Sequence, residues 1–381
     1  MHSGEPAAGE PIAPDITVGS AFTYPDLESL EAAMSSHHGY GRWGTANHEQ
    51  LEEAVAALEA TPDGRPPKGL ALASGMSAIA VGILTEASQG DRVVVARDIY
   101  GTTLTFLKQD LSRLGIETRV VDVQDIDAVE REIDERTRMV LCEMCTNPLI
   151  RVPDLEKLAE VAHRKGALLM VDNTVPTPIL CQPFRFGADI VVHSATKNLS
   201  GHADVIGGVL LGRAAWMEGA RSLTRSFGPT LGPFDAWLTL RGLRTLAVRM
   251  ERHTANALAL ATFLASHPGV RSVHYACLDE SPYRARAGRY LPRGAGALFS
   301  FELNEGLPAV REMIKRLRLV RLLPSLGHVA TTLSHPASTS HRGLTPEERA
   351  QAGISQGLLR CSVGLESIDD LREDFAQAIA G

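Results

Sequence analysis

The chain has 381 residues, 44% hydrophobic and 22% charged, the balance of a soluble globular protein too long for one compact core, so a large domain with a smaller one attached is expected. Its 45 acidic and 38 basic residues give a formal net charge of −7, which provides no electrostatic footprint for nucleic acid or an anionic membrane. No apolar run approaches bilayer length, and the polar start Met1–Pro11 lacks the apolar core of a signal peptide, so a cytoplasmic protein is expected.

Residues 1–65 carry few strand signals, one helix predicted from Asn47 to Glu59, and a Pro/Gly-rich exit from Thr61 to Pro67. Such an arm seldom folds alone and is expected to drape over another subunit. Within it, Gly39-Tyr40-Gly41-Arg42-Trp43-Gly44 satisfies G-x-G-x-x-G, but it follows Met34-Ser35-Ser36-His37-His38, which is no strand, so no dinucleotide site is read there. Tyr40 and Arg42 are the informative positions, because a phenol and a planar guanidinium can both grip a phosphate.

From residue 66 to 235 short apolar runs alternate with amphipathic helices. The runs are Leu70–Ala73, Val93–Val95, Val120–Val121, Met139–Leu141, Leu168–Val171, Ile190–Val192 and Val209–Leu211. This alternation predicts βαβ units and a mainly parallel sheet covered on both faces, with ligands at the carboxyl ends of the strands. Four of those ends carry chemistry. Ser74-Gly75-Met76-Ser77 opens a helix, which serves equally as a capped glycine turn or as an anion site. Tyr100 begins the next helix, where an aromatic can stack on a planar cofactor and offer a phenol, or simply pack. Asp172 ends a buried run and needs a cation there, whether a protonated ring nitrogen, a metal or an arginine. Ser194-Ala195-Thr196-Lys197 closes another run with a lysine flanked by hydroxyls, suited to Schiff-base chemistry beside a phosphate, though taken alone so short a motif reads more readily as a solvated lysine after an edge strand.

Residues 236–381 read as a second, smaller α+β unit. A long helical region runs from Phe234 to Leu264, strands fall near Val270–Tyr275, Ala297–Leu303 and Leu358–Val363, and helices over Pro308–Leu317 and Asp369–Ile379. Cysteines 142, 145, 181, 277 and 361 are odd in number and scattered, which argues against a disulfide framework. Cys142 and Cys145 have C-x-x-C spacing, but no second ligand pair comes after them, so they are read as structural thiols and no metal is assigned.

A lysine, an anion cradle, a buried aspartate and an aromatic at successive strand ends match what pyridoxal phosphate requires. The chain then resembles the Cys/Met-metabolism family of pyridoxal-phosphate enzymes, the group of cystathionine γ-synthase, methionine γ-lyase and O-acetylhomoserine sulfhydrylase. The resemblance runs from about Tyr40 to the C-terminus. It is carried by Ser74-Gly75-Met76, Asp98-Ile99-Tyr100-Gly101, Val171-Asp172-Asn173-Thr174, Ser194-Ala195-Thr196-Lys197, Ser325-Leu326-Gly327, His335-Pro336-Ala337-Ser338 and Arg360-Cys361-Ser362-Val363-Gly364.

The resemblance implies an α/β, aspartate-aminotransferase-like fold (fold type I) with a smaller C-terminal α+β domain, and a homotetramer of two active dimers. It implies Lys197 as the Schiff-base lysine, Asp172 as the ring-nitrogen partner and Tyr100 as the stacking residue. Ser74, Gly75, Met76, Ser194 and Thr196 would hold the phosphate, Tyr40 and Arg42 would reach it from a neighbouring subunit, and Asn147 would lie near the ring oxygen or the substrate. Arg360, helped by Ser325, would bind the substrate α-carboxylate.

Where relatives that handle cystathionine tend to carry an arginine and often a glutamate, this chain has Thr105 and Pro324, so a small uncharged γ-substituent is expected. The implied activity is a γ-elimination lyase giving a 2-oxo acid and ammonia. The alternatives are γ-replacement, or a specialised lyase expelling a non-sulfur group such as halide. The arm Tyr40–His48 and the segment Glu143-Met144-Cys145-Thr146-Asn147-Pro148 both depart from the usual family pattern.

Overall fold

The structure is a computed structural model and describes residues 12–35 and 39–380; Met1–Pro11 and the stretch Ser36-His37-His38 lie outside the described residues. Seven strands form the larger sheet: β1 Lys68–Leu72, β2 Arg92–Ala96, β3 Glu117–Val121, β4 Thr137–Glu143, β5 Leu168–Asp172, β6 Ile190–Ser194 and β7 Gly208–Gly212. Their spatial order is β1-β7-β6-β5-β4-β2-β3. Four pairings are parallel, as the alternating pattern predicts. The exception is β7, antiparallel to both neighbours. It comes after β6 with no crossover helix between them, so the chain doubles back instead of re-entering from the same end.

Burial explains why these runs are strands. Val94, Val140, Leu169 and Val191 pack into one core, while their neighbours Val93, Val95, Leu141, Met170 and Val192 pack into the other. Side chains alternate across the sheet, so a strand covered on both faces reads as an unbroken apolar run. Register also aligns the strand ends. Glu143 stands beside Asp172, and Asp172 beside Val192, so β2, β4, β5 and β6 end at one edge and hand over to Tyr100, Asn147, Thr174 and Lys197.

The smaller sheet has the order β10-β11-β12-β9-β8, with β8 Val270–His274, β9 Leu298–Leu303, β10 Arg321–Leu322, β11 Thr332–Ser334 and β12 Leu358–Ser362. Phe299, Phe301 and Phe375 fill its core. The helical region expected from Phe234 to Leu264 is two helices, Pro233–Leu243 and Leu246–Ala265. At the break the Thr245 hydroxyl donates to the Gly242 carbonyl at 3.2 Å, a side-chain bond that competes with helix continuation. The short β10 and β11 and the helices Leu27–Ser35, Ala214–Phe227 and Arg284–Tyr290 add to the elements expected from sequence. No helix among the described residues is long and apolar enough to cross a membrane.

Candidate active site

A cavity of about 1040 Å³ opens at the carboxyl edge of the larger sheet, against the smaller one. Ser74, Gly75, Met76, Tyr100, Thr105, Asn147, Asp172, Ser194, Thr196, Lys197, Pro324, Ser325 and Arg360 all line it. Tyr40 and Arg42 do not. Arg42 lies over the Tyr40 ring at 5.5 Å and donates to the Arg225 carbonyl, so the two are brought to each other and away from the cavity of their own chain.

Lys197 sits just past β6 and donates from Nζ to Ser325 Oγ at 3.1 Å. Burial, then the positive charge of Arg360, lowers its pKa, which favours the unprotonated amine that a nucleophile or base requires. The loop carrying Ser325 approaches closely because residue 327 is glycine. Its φ is +75°, and a Cβ there would meet the Asn198 nitrogen at 2.6 Å.

The helix Gly75–Glu86 begins at this edge. The Ser74 hydroxyl accepts from the Ser77 N–H at 3.0 Å, so the turn is a capped helix start, and a helix N-terminus of this kind is also suited to an anion. A Cβ on Gly208 would meet the Ser74 carbonyl at 2.1 Å, so only glycine lets β7 pass under this turn. The Thr196 hydroxyl donates to the Gly207 carbonyl at 3.2 Å and accepts from the Gly207 N–H at 3.0 Å, which ties the lysine loop to β7.

Two buried charges define the electrostatics. Asp172 accepts from the Thr174 N–H at 2.9 Å and forms no ion pair among the described residues; burial raises its pKa, against the Thr174 hydrogen bonds and the charge of His193. Arg360 is only 4% exposed. It donates to Asn147 Oδ1 at 3.1 Å and to the Ser325 carbonyl at 2.6 Å, leaves Nε unpartnered, and pairs with no carboxylate among the described residues; burial lowers its pKa to about 10. Buried charges without an ion pair are costly, so the arrangement suits a ligand that brings a cation to Asp172 and an anion to Arg360.

Sequence reasoning missed three features. Glu143 ends β4 beside Asp172 and lines the cavity. Lys108 lies one turn beyond Thr105 on a π-helical stretch, Phe106–Leu111, and Arg342 projects from the loop opposite; both line the outer cavity, and neither is ion-paired among the described residues. Lys108 was within reach as the i+3 neighbour of Thr105. Arg342 offered no periodic signal. Cys142, Cys145, Cys181 and Cys361 are buried and free, and burial pushes the Cys142 thiol up. They pack as apolar groups.

A lysine amine, an N-terminal helix cradle, an unpaired aspartate and an aromatic at one sheet edge fit pyridoxal phosphate, and the fold is that of the type I enzymes that use it. The chain belongs to the Cys/Met metabolism PLP-dependent enzyme family, whose model matches residues 2–380, and its cofactor is pyridoxal 5′-phosphate. It is 42% identical to the O-succinylhomoserine sulfhydrylase of Pseudomonas aeruginosa over 90% of this chain and 83% of that protein. It is 40% identical to the L-methionine gamma-lyase of Pseudomonas putida, over 97% and 93%. A solved Campylobacter jejuni structure, described as an O-acetylhomoserine (thiol)-lyase and carrying N′-pyridoxyl-lysine-5′-monophosphate, superposes with a TM-score of 0.92 at 32% identity, covering 98% of this chain and 97% of that one. The protein is a PLP-dependent lyase or γ-substituting enzyme.

Proposed function

We propose that the protein eliminates a small uncharged γ-substituent from an L-amino acid, as a methionine γ-lyase does, releasing a 2-oxo acid and ammonia. The observation that carries this reading is the buried Arg360 guanidinium with no counterion of its own among the described residues, which suits the α-carboxylate of an amino acid by bidentate pairing. That anchor brings the Cα of the substrate toward Lys197 Nζ. In this reading Lys197 removes the Cα proton, a second deprotonation follows at Cβ, and the Tyr100 hydroxyl delivers a proton to the γ-group as its bond to Cγ breaks. Bound pyridoxal phosphate supplies the electron sink, and Asp172 keeps its ring nitrogen protonated. Ser74, Gly75, Met76, Ser194 and Thr196 hold its phosphate, and Asn147 lies beside the ring or substrate.

Thr105 and Pro324 line the cavity without charge, and Leu104, Leu149, Leu326 and Ile354 add apolar surface around them, which supports an uncharged γ-group. A second reading rests on Lys108 and Arg342. Two cations without ion-pair partners among the described residues suit a γ-acyl group ending in a carboxylate, displaced by a thiol in a γ-replacement. A cytoplasmic homotetramer, with Tyr40 and Arg42 reaching a second copy's phosphate, belongs to the same reading, and their separation from their own chain's cavity supports it.

The deciding experiment measures 2-oxo acid and thioether products from methionine, homocysteine, cystathionine, O-acetylhomoserine, O-succinylhomoserine and γ-halogenated amino acids. Each is tested with and without added thiol, and with no acceptor keto acid. Release of 2-oxo acid from methionine without thiol is expected. No 2-oxo acid from any substrate would sink the elimination reading.

A further inference from the structure

Glu143 takes no part in the chemistry above, yet it is a buried carboxylate at the sheet edge with a backbone N–H on each oxygen. It is 7% exposed. Its Oε1 accepts from the Tyr100 N–H at 2.8 Å, and its Oε2 accepts from the Asn147 N–H at 3.2 Å. Each oxygen therefore holds a different loop, one leaving β2 and the other leaving β4. From Asn147 the bonding continues: its side-chain oxygen accepts from Arg360, whose guanidinium also donates to the Ser325 carbonyl, and Ser325 Oγ accepts from Lys197. One unbroken chain of hydrogen bonds thus runs from the backbone of Tyr100 to the lysine amine, and Glu143 is the link in it between the β2 loop and the rest.

We propose that Glu143 is a positioning residue that sets the Tyr100 ring and the Arg360 anchor at a fixed separation by clamping both loops with one carboxylate. Energetics favour this over incidental packing. Register already puts Glu143 beside Asp172, and burial, then that neighbouring carboxylate, push the Glu143 pKa well up against its two backbone hydrogen bonds, so an acidic group is held here at a cost. An apolar or amide side chain would fill the same space without that cost. A carboxylate alone offers acceptors on both oxygens, whereas glutamine would turn an NH₂ donor toward one of the two N–H groups. The clamp acts at a distance from the reacting atoms, so its loss should change geometry at the ring and affinity at the anchor together.

This rests on the roles given to Tyr100 and Arg360 above, and its test uses no turnover. Holoenzyme carrying Glu143→Gln or Glu143→Asp is compared with wild type by the visible circular dichroism of bound pyridoxal phosphate and by titration with the unreactive amino acid L-norleucine, read from the cofactor absorbance. Glu143→Gln should alter the dichroism and weaken norleucine roughly tenfold, the scale of one charge-assisted hydrogen bond lost beside a desolvated donor. Glu143→Asp keeps the carboxyl group but is one methylene too short to reach both loops, so it should fall between the two. A mutant that loses only thermal stability, with dichroism and norleucine affinity as in wild type, overturns the proposal, as does full recovery in Glu143→Asp. If Glu143→Gln does not fold, the aspartate variant decides alone. Wild-type holoenzyme that fails to bind norleucine at all would instead overturn the functional reading beneath it.

Discussion

Lys197, Asp172 and Ser194 stand at the ends of strands in a sheet buried on both faces, whereas Thr105, Lys108, Pro324 and Arg342 occupy a helix flank and loops around the outer cavity. The inner group is held by ladder register. Shifting Asp172 by one position would turn it to the opposite face of the sheet and into the other core, so its placement is inseparable from folding. The outer group is held by no ladder of the larger sheet. In the proposed function, proton transfer and cofactor binding would therefore fall on the part of the architecture that register holds, and the choice of γ-substituent on loops and a helix flank that it does not hold.

The largest effect should come from the inner half. Lys197→Ala should reduce turnover by roughly 10²–10⁴-fold and remove the visible absorbance of the lysine-bound cofactor, while the neighbouring ladder stays folded. A mutant that retains the absorbance band would reassign the lysine. In the outer half, Lys108→Ala should act on selectivity. The ratio of kcat/KM for O-succinylhomoserine to that for methionine should fall roughly two- to fivefold, the scale of an exposed charge pair, and more at low salt than at high salt. A ratio indifferent to the mutation would remove the support that Lys108 lends to a carboxylate-ended γ-group.

The same division governs how much the sequence alone reveals. Lys197, Asp172, Tyr100 and Ser74 each come after an apolar run, and strand ends of a doubly covered sheet converge in space whatever the intervening helices do. That convergence makes the cofactor legible from the residues themselves. Arg360 was visible only through the family resemblance, because it lies inside β12 of the other sheet with nothing in its own run to mark it. Glu143 escaped for a related reason. Its use depends on the turns after β2 and β4 bringing two backbone N–H groups to one carboxylate, and backbone donors leave no signature in side-chain pattern. β7 was recognised as a strand but not as a reversed one, since its direction depends on what connects it to β6 and not on its own residues. Arg342 lies in a loop whose path is set by packing against the cavity.

The smallest effect tests whether the outer loop is packed as a buried part of the fold. His341 comes after Thr339 and Ser340 in the outer loop, yet it is buried, its Nδ1 is 2.8 Å from Ser340 Oγ, and burial, then the nearby Arg360 charge, lowers its pKa to about 4. In the unfolded chain the same imidazole titrates near ~6.5. Between those values the unfolded state binds a proton that the folded state refuses, so stability is lost as pH falls through this window and recovered as it rises. From pH 7.5 to 5.5 this linkage amounts to about 1 kcal/mol, a shift in Tm of about 1–2 °C for a chain this long. His253, also lowered to about 4, acts in the same direction, so the informative quantity is the difference between variants. His341→Gln should shrink the acid-induced drop in Tm by that amount and leave the drop due to His253 in place. An equal acid-induced drop in Tm for the two proteins would mean that His341 is reached by solvent in the folded chain and that this stretch of the outer loop is not packed as a buried part of the fold.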